Sequence, residues 1–240
     1  MDDLHIWTAR PTDFKDEQWK NFVELLDATE RLRISQFKAQ ADRRAYVLAH
    51  VLRRLALASV LAVDPSLIVF SRDESGKPLL SAPGERDIFF SHSHIRDAVV
   101  CAVTRSGPIG IDIESLQNGN ADFDLLESFV VLPDAQRRAA ELGSDPTAQF
   151  FFYWTALEAF WKAAGTGLSS ANPRIRCQKN RLGVFEVELE GASPVEPKAR
   201  LVPVPALVGC AVALALNYPA AHHFNGEAKI KKLFHEDIQQ

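Results

Sequence analysis

From Phe151 to Gly165 the chain carries only two charges, Glu158 and Lys162, in a run that is otherwise uncharged. They stand four residues apart, so on a helix they share one face. A helix over Gln149 to Ala164 is predicted, stopped by Gly165-Thr166-Gly167. Upstream, Ile109-Gly110-Ile111-Asp112-Ile113-Glu114 alternates apolar residues with carboxylates, the pattern of a strand with Asp112 and Glu114 on one face. Each piece alone has an ordinary reading. Glu158 and Lys162 fit an exposed pair that supports a helix by about 0.3–0.5 kcal/mol. Asp112 and Glu114 fit the solvated face of an edge strand. Taken together, three carboxylates and a lysine on two elements make a candidate site for a hard cation facing a phosphate.

Two further groups of residues give that combination its weight. Gly76-Lys77-Pro78 reads as a turn in which glycine permits close backbone approach. Ser91-His92-Ser93 offers two hydroxyls and an imidazole, although alone it reads as a turn or hairpin histidine. Basic residues concentrate between Arg31 and Arg54: Arg31, Arg33, Lys38, Arg43, Arg44, Arg53 and Arg54, against Asp42 alone. Such a run is either a solvated helix face or a positive wall for a polyanionic small molecule.

In this order and spacing the four motifs resemble the 4′-phosphopantetheinyl transferases of the large, single-chain, surfactin-synthetase-activating type. They span about residues 44 to 168. The resemblance implies an α+β fold, a pseudo-dimer of two similar α+β halves with the active site between them. It implies Mg²⁺ as cofactor and coenzyme A as co-substrate. The implied reaction transfers the phosphopantetheine arm to a serine of an apo acyl or peptidyl carrier protein, releasing adenosine 3′,5′-bisphosphate. By motif position, Asp112, Glu114 and Glu158 are the metal set. Glu158 is either a ligand or the base that takes the serine proton, and Lys162 stabilises charge on the pyrophosphate. Arg44, Gly76, Lys77, Pro78, Ser91 and His92 are assigned to coenzyme A, with Arg44 and His92 at its 3′-phosphate and Arg31 and Arg33 ranked below Arg44. Two positions depart from the common pattern: Leu157 stands where many relatives have lysine, and Phe89 where many have asparagine. They motivate an alternative, a non-catalytic module that binds carrier proteins on the same fold. Leu157 is expected to pack apolarly or to line the pantetheine channel, so Leu157→Lys is expected to change activity only modestly.

Composition bounds the rest. At 240 residues, 47% hydrophobic and 24% charged, the chain can bury a large core. A net charge of −4 argues against broad nucleic-acid binding. Cys101, Cys177 and Cys210 form no paired framework, which fits a reduced, cytoplasmic compartment. No signal peptide is visible at Met1 to Trp7, and the longest apolar run, Ala206 to Leu216, is too short for a membrane span.

Along the chain, helical patterns cover 16–37, 42–61, 124–131 and 133–142. Strand-like runs cover 67–71, 88–90, 98–104 and 109–114, and more follow from Arg174 to Leu216. The expected organisation is an N-terminal half over 1–107 that binds coenzyme A. A C-terminal half over 108–217 carries the metal and catalytic residues, and a peripheral tail covers 218–240. A monomer is expected, its pseudo-dimer being internal. The segment from Leu116 to Leu142, with Phe123, Leu125, Leu126 and Phe129, is the expected docking region for the carrier, against plain core packing for at least half of those four.

Overall fold

The structure, a computed structural model, describes residues 4–74, 76–83, 87–117, 121–131, 145–169, 172–179, 185–190, 199–203, 207, 209–217 and 229–232. The chain divides into two compact units. One comprises Asp2–Ser106 with Ala228–Gln240, the other Gly107–Glu227. Both mix helix and strand, and in each a long helix lies on an antiparallel-rich sheet. This is the α+β architecture that the resemblance implies.

In the N-terminal unit, β1 (His5–Ala9), β4 (Phe89–Ile95), β5 (Ala98–Thr104) and β12 (Lys229–Lys232) form a sheet in the order β12-β1-β5-β4. Central β5 is buried along its whole length, so its sequence is a continuous apolar run rather than an alternation. Helix α3 (Gln40–Leu61) lies on β5, β4 and β1. Its Val47, Leu48, Val51 and Leu52 are buried against Trp7, Phe22 and Val99 in one core. The helix ends where Ala62 takes a left-handed conformation (φ 55°), and Asp64-Pro65 then starts a short 3-10 turn.

The single helical pattern over 16–37 resolves into two helices, α1 (Gln18–Glu24) and α2 (Ala28–Ile34). Asp27 divides them by a capping box. Its carboxylate accepts from the Glu30 backbone N–H at 2.8 Å, and the Glu30 side chain accepts from the Asp27 N–H at 3.0 Å. Two short strands, β2 (Val69–Arg72) and β3 (Pro78–Ala82), make a separate hairpin. Its turn bonds Gly76 N–H to the Asp73 carbonyl, with Gly76 at φ +85°, a conformation that favours glycine. Ser91 and His92 lie within strand β4, not in a turn. Residues 229–232, inside the stretch expected as a peripheral tail, run parallel to β1 and extend the sheet at its edge.

In the C-terminal unit a six-stranded sheet has the order β6-β11-β10-β9-β8-β7. Its strands are β6 (Ile109–Ser115), β7 (Val130–Val131), β8 (Ile175–Lys179), β9 (Phe185–Leu189), β10 (Ala199–Pro203) and β11 (Cys210–Asn217). Helix α4 (Phe123–Glu127) is shorter than its pattern suggests, because Val130 and Val131 leave it to pair with β8. The helical pattern over 133–142 lies outside the described residues. Helix α5 (Pro146–Ala164) begins three residues earlier than predicted, where the Asp145 carboxylate caps Thr147 and Ala148, and it ends on Gly165 in the left-handed region. Among the described residues no helix is long and apolar enough to cross a membrane.

Helix α5 lies on β6 and β11. Its Ala156, Ala159 and Ala163 are buried with Ala213 and Ala215 of β11. The tightest point is Gly110 on β6, where a Cβ would sit 1.9 Å from the Ala159 carbonyl oxygen and 2.6 Å from the Ala163 nitrogen. Both obstacles are backbone, so no rotamer change could relieve the clash. Gly110→Ala is therefore expected to cost about 3 kcal/mol or more, the upper range of overpacking. Urea unfolding followed by tryptophan fluorescence measures it, and a loss below about 0.5 kcal/mol, the scatter of ordinary surface changes, would refute the close approach.

Candidate active site

The close approach at Gly110 carries the polar face of α5 to the edge of β6. Asp112 is 4% exposed and Glu114 half-buried, both on β6. Across from them, Lys162 Nζ donates to Asp112 Oδ1 at 2.5 Å and to the Ile111 carbonyl at 3.4 Å. Glu158 stands one turn before Lys162 on the same helix. Burial pushes the Glu114 carboxyl up to about 7, helped by the charges of Asp112 and Glu158 and opposed by Lys162. Burial and Asp112 raise Glu158 as well, again against Lys162. The four residues thus form one electrostatic group, three acids around one ammonium. Among the described residues no three His, Cys, Asp or Glu side chains converge closely enough to cage a metal by themselves.

Leu157 takes no part in this group. It is fully buried in the core formed by α5, β11 and α4. Of the two placements expected for it, apolar packing is the one seen. Phe123 and Phe129 pack against the same core and Leu126 lies inside it, which leaves Leu125, 44% exposed, as the outward one of those four.

The coenzyme A residues expected from sequence all lie in the N-terminal unit. This unit holds a cleft of about 740 Å³ lined by, among others, Arg33, His50, Arg53, Arg72, Pro78 and His92. His92 and Pro78 are therefore brought together. Gly76 and Lys77 form the adjoining turn, where Lys77 N–H donates to Asp73 Oδ1 at 2.9 Å and burial lowers the ammonium pKa. Ser91 points the other way from His92 along β4 and is buried.

Arg44 is not brought to this cleft. Its Nη2 bonds Asp16 Oδ1 at 2.5 Å, and its guanidinium lies 5.0 Å from the Trp19 ring centroid. The helix period explains the difference. Tyr46, His50 and Arg53, all at the cleft, are spaced i, i+4, i+7 on α3, and Arg44 is turned about 200° from Tyr46. Arg33, ranked below Arg44 from the sequence, lines the cleft instead. Arg53 belongs to the basic run already noted, whereas His50 and Arg72 do not stand out in the sequence; the 46/50/53 spacing and the strand Val69–Arg72 are the signals that place them.

A buried ion cluster forms the cleft floor. Glu30 accepts from Arg53, and from Arg54 at 2.8 Å, with all three side chains almost fully buried. Both guanidiniums cover the Phe70 ring, at 4.0 and 5.0 Å from its centroid. His50 sits beside them with Nδ1 2.9 Å from the Tyr46 carbonyl. Burial, with Arg53 nearby, pushes its pKa down to about 3, so the ring is neutral at physiological pH.

Comparison with known proteins identifies the family. Residues 10–106 match the family model described as 4′-phosphopantetheinyl transferase, N-terminal, and residues 108–208 match that of the 4′-phosphopantetheinyl transferase superfamily. The chain is 30% identical over 207 residues to 4′-phosphopantetheinyl transferase HetI of Nostoc sp., covering 85% of this chain and 80% of that protein. It is 28% identical to 4′-phosphopantetheinyl transferase Sfp of Bacillus subtilis, over 77% of this chain and 79% of that one. A further Bacillus subtilis 4′-phosphopantetheinyl transferase is 31% identical over 68% of this chain and 70% of its own. The chain belongs to the 4′-phosphopantetheinyl transferases. It is thus a transferase, and the mixed helix and strand architecture in two units agrees with that family.

Two predictions follow from burial. Leu157→Lys would place an ammonium in an apolar core, so it is expected to destabilise the protein by about 3 kcal/mol or more. The modest effect expected from sequence concerned activity; this one concerns stability, and a melting temperature within 2 °C of wild type, roughly 1 kcal/mol or less at this size, would contradict it. The second concerns Glu114. Its folded pKa is raised, so the folded state holds that proton more tightly than the unfolded chain does. Stability in metal-free buffer should therefore fall as pH rises from the ordinary carboxylate range through about 7. Glu114→Gln should flatten the decline in melting temperature between pH 5 and pH 8, and parallel curves for the two proteins would exclude it.

Proposed function

We propose that this protein transfers the 4′-phosphopantetheine arm of coenzyme A to a serine hydroxyl of an apo carrier protein, and that adenosine 3′,5′-bisphosphate leaves. The observation that carries this reading is the pairing of Lys162 with Asp112 in the shared field of Glu114 and Glu158. The reaction attacks one phosphorus of a dianionic pyrophosphate, and its needs are charge neutralisation and a proton acceptor.

The donor set suits Mg²⁺. It consists of carboxylate oxygens alone, and burial first, then the neighbouring carboxylates, pushes Glu114 and Glu158 up, so a bound cation would relieve part of that cost. That no three donors cage a metal is compatible with Mg²⁺, which commonly takes one or two carboxylates and completes its shell with phosphate oxygens and water. Asp112 and Glu114 would hold it, with Glu158 as a third ligand or as the group that accepts the serine proton. When bound, Mg²⁺ neutralises pyrophosphate charge. A raised pKa makes the Glu158 carboxylate a better proton acceptor than an ordinary one. Lys162 would stabilise charge that develops on the leaving phosphate.

The cleft of the N-terminal unit is our site for the 3′-phosphate, read by His92 with Arg33 and Arg72, while Gly76-Lys77-Pro78 follows the adenosine. The buried Glu30–Arg53–Arg54 cluster holds the floor in place. Leu125 is the outward apolar residue we assign to carrier docking. The alternative of a non-catalytic carrier-binding module rested on Leu157 and Phe89. Burial of Leu157 in the core removes the first as a sign of a lost catalytic group.

Mass spectrometry of an apo carrier protein incubated with this protein, coenzyme A and Mg²⁺ tests the proposal. The expected product carries one phosphopantetheine arm, and an unmodified carrier across a panel of acyl and peptidyl carriers would reject it. Asp112→Asn keeps the shape of the buried side chain and should lower the rate by about 10²-fold or more, as loss of one well-placed electrostatic group does. EDTA should stop the wild type and Mg²⁺ restore it. Dephospho-coenzyme A should be the poorer substrate, with the preference reduced in His92→Ala and Arg33→Ala and kept in Arg44→Ala. An unchanged preference in all three would move the 3′-phosphate elsewhere.

A further inference from the structure

Asp112 and Lys162 hold each other. The lysine ammonium lies 2.5 Å from Asp112 Oδ1 and also reaches the Ile111 carbonyl at 3.4 Å. The aspartate side chain is 6% exposed and the lysine side chain 30%. The carboxylate is thus the more enclosed partner, and the lysine, on its flexible four-carbon stem, the more accessible one. The function proposed above, on which this inference rests, gives the two groups different work. The carboxylate is to hold a divalent cation, and the ammonium is to meet a pyrophosphate. While they are bonded, one is spent on the other.

We propose that Lys162 is the resident counter-ion of Asp112, that a divalent cation competes with it for that carboxylate, and that the pyrophosphate of coenzyme A draws the ammonium away and so admits the metal. The competitor is built into the chain, so it acts at a high effective concentration however dilute the protein is. Free metal must displace an ammonium that would lose its charge partner, which weakens its binding. With coenzyme A present the ammonium exchanges one anion for another, and the cost of displacement disappears. Metal and co-substrate are then coupled through one side chain, and the coupling is reciprocal: each tightens the other by the same factor. Glu158, one turn away on α5, and Glu114 on β6 stay in place to receive the cation's remaining charge. The device favours entry of the metal with its pyrophosphate and disfavours an idle metal-loaded site.

The test reads metal binding itself, apart from turnover. Mn²⁺ serves as the probe, titrated into the full chain and followed by the electron paramagnetic resonance of free Mn²⁺, with and without coenzyme A. Lys162→Gln, free of coenzyme A, is expected to bind Mn²⁺ about 10-fold more tightly than wild type or better, because the competing charge is gone. Coenzyme A should then raise Mn²⁺ affinity by a larger factor in wild type than in the variant. Lys162→Met, which keeps the aliphatic stem, gives the same comparison if circular dichroism shows that the glutamine variant has not folded. Equal or weaker Mn²⁺ binding by the folded variants in the absence of coenzyme A overturns the counter-ion proposal, while binding by wild type with coenzyme A leaves the metal reading standing. If wild type binds no Mn²⁺ even with coenzyme A, the metal reading fails and the counter-ion proposal falls with it.

Discussion

The contact that the candidate site depends on is a bare backbone approach. At Gly110 the sheet edge and helix α5 come so near that a single added methyl carbon would collide with a carbonyl oxygen and an amide nitrogen. Only that spacing lets Lys162 span from the helix to Asp112 on the neighbouring strand. The alanines at 156, 159, 163, 213 and 215 continue the same narrow seam, so small residues, not large ones, set where the charges stand. A larger residue in the seam would lift the helix from the sheet and open the lysine–aspartate distance. Fold stability and site geometry are therefore one requirement here, although the stability of the charged group itself runs the other way. Burial holds the Glu114 and Glu158 carboxyls above their ordinary range, so ionising them opposes folding.

The N-terminal unit solves a related problem by different means. Its cleft needs positive charge next to an apolar core, and guanidinium groups are costly to bury alone. Glu30, placed by the Asp27 capping box, answers both Arg53 and Arg54. Phe70 lies under the two planes and ties the β2–β3 hairpin to α3. A local sequence rule, the helix cap, thereby positions a buried carboxylate, and the carboxylate positions one wall of the cleft.

The acidic strand and the charged helix were readable in the sequence because each obeys one period, two for Ile109 to Glu114 and 3.6 for the run ending at Lys162. Their meeting was not readable, since it rests on a glycine whose role appears only when the helix is laid over it. The placement of Arg44 away from the cleft has the same character. Charge density marked the right segment, but helix phase decided which arginines reach the cleft, and Arg44 and Tyr46 fall on different sides of α3. The division of 16–37 was encoded in Asp27 and Glu30, a capping pair hidden inside an amphipathic pattern. Ser91 and His92 gave no period of their own, so their place in mid-strand followed only from pairing with β5. Short strand β12 lacked enough apolar residues to stand out, because among the described residues it pairs with β1 alone, at the sheet edge.

That strand makes the N-terminal unit discontinuous in sequence. During synthesis β1 emerges first and acquires β5 on one side after about a hundred residues, but its other side waits until Lys229–Lys232 leaves the ribosome. For most of translation the N–H and C=O groups along that side of His5–Ala9 remain an open template for another chain. The intervening Gly107–Glu227 unit can fold meanwhile, since its own sheet closes on residues already made. A ribosome that stalls before residue 229 would thus release a chain with its C-terminal unit formed and a raw sheet edge in the other, a species suited to misassociation with its own kind.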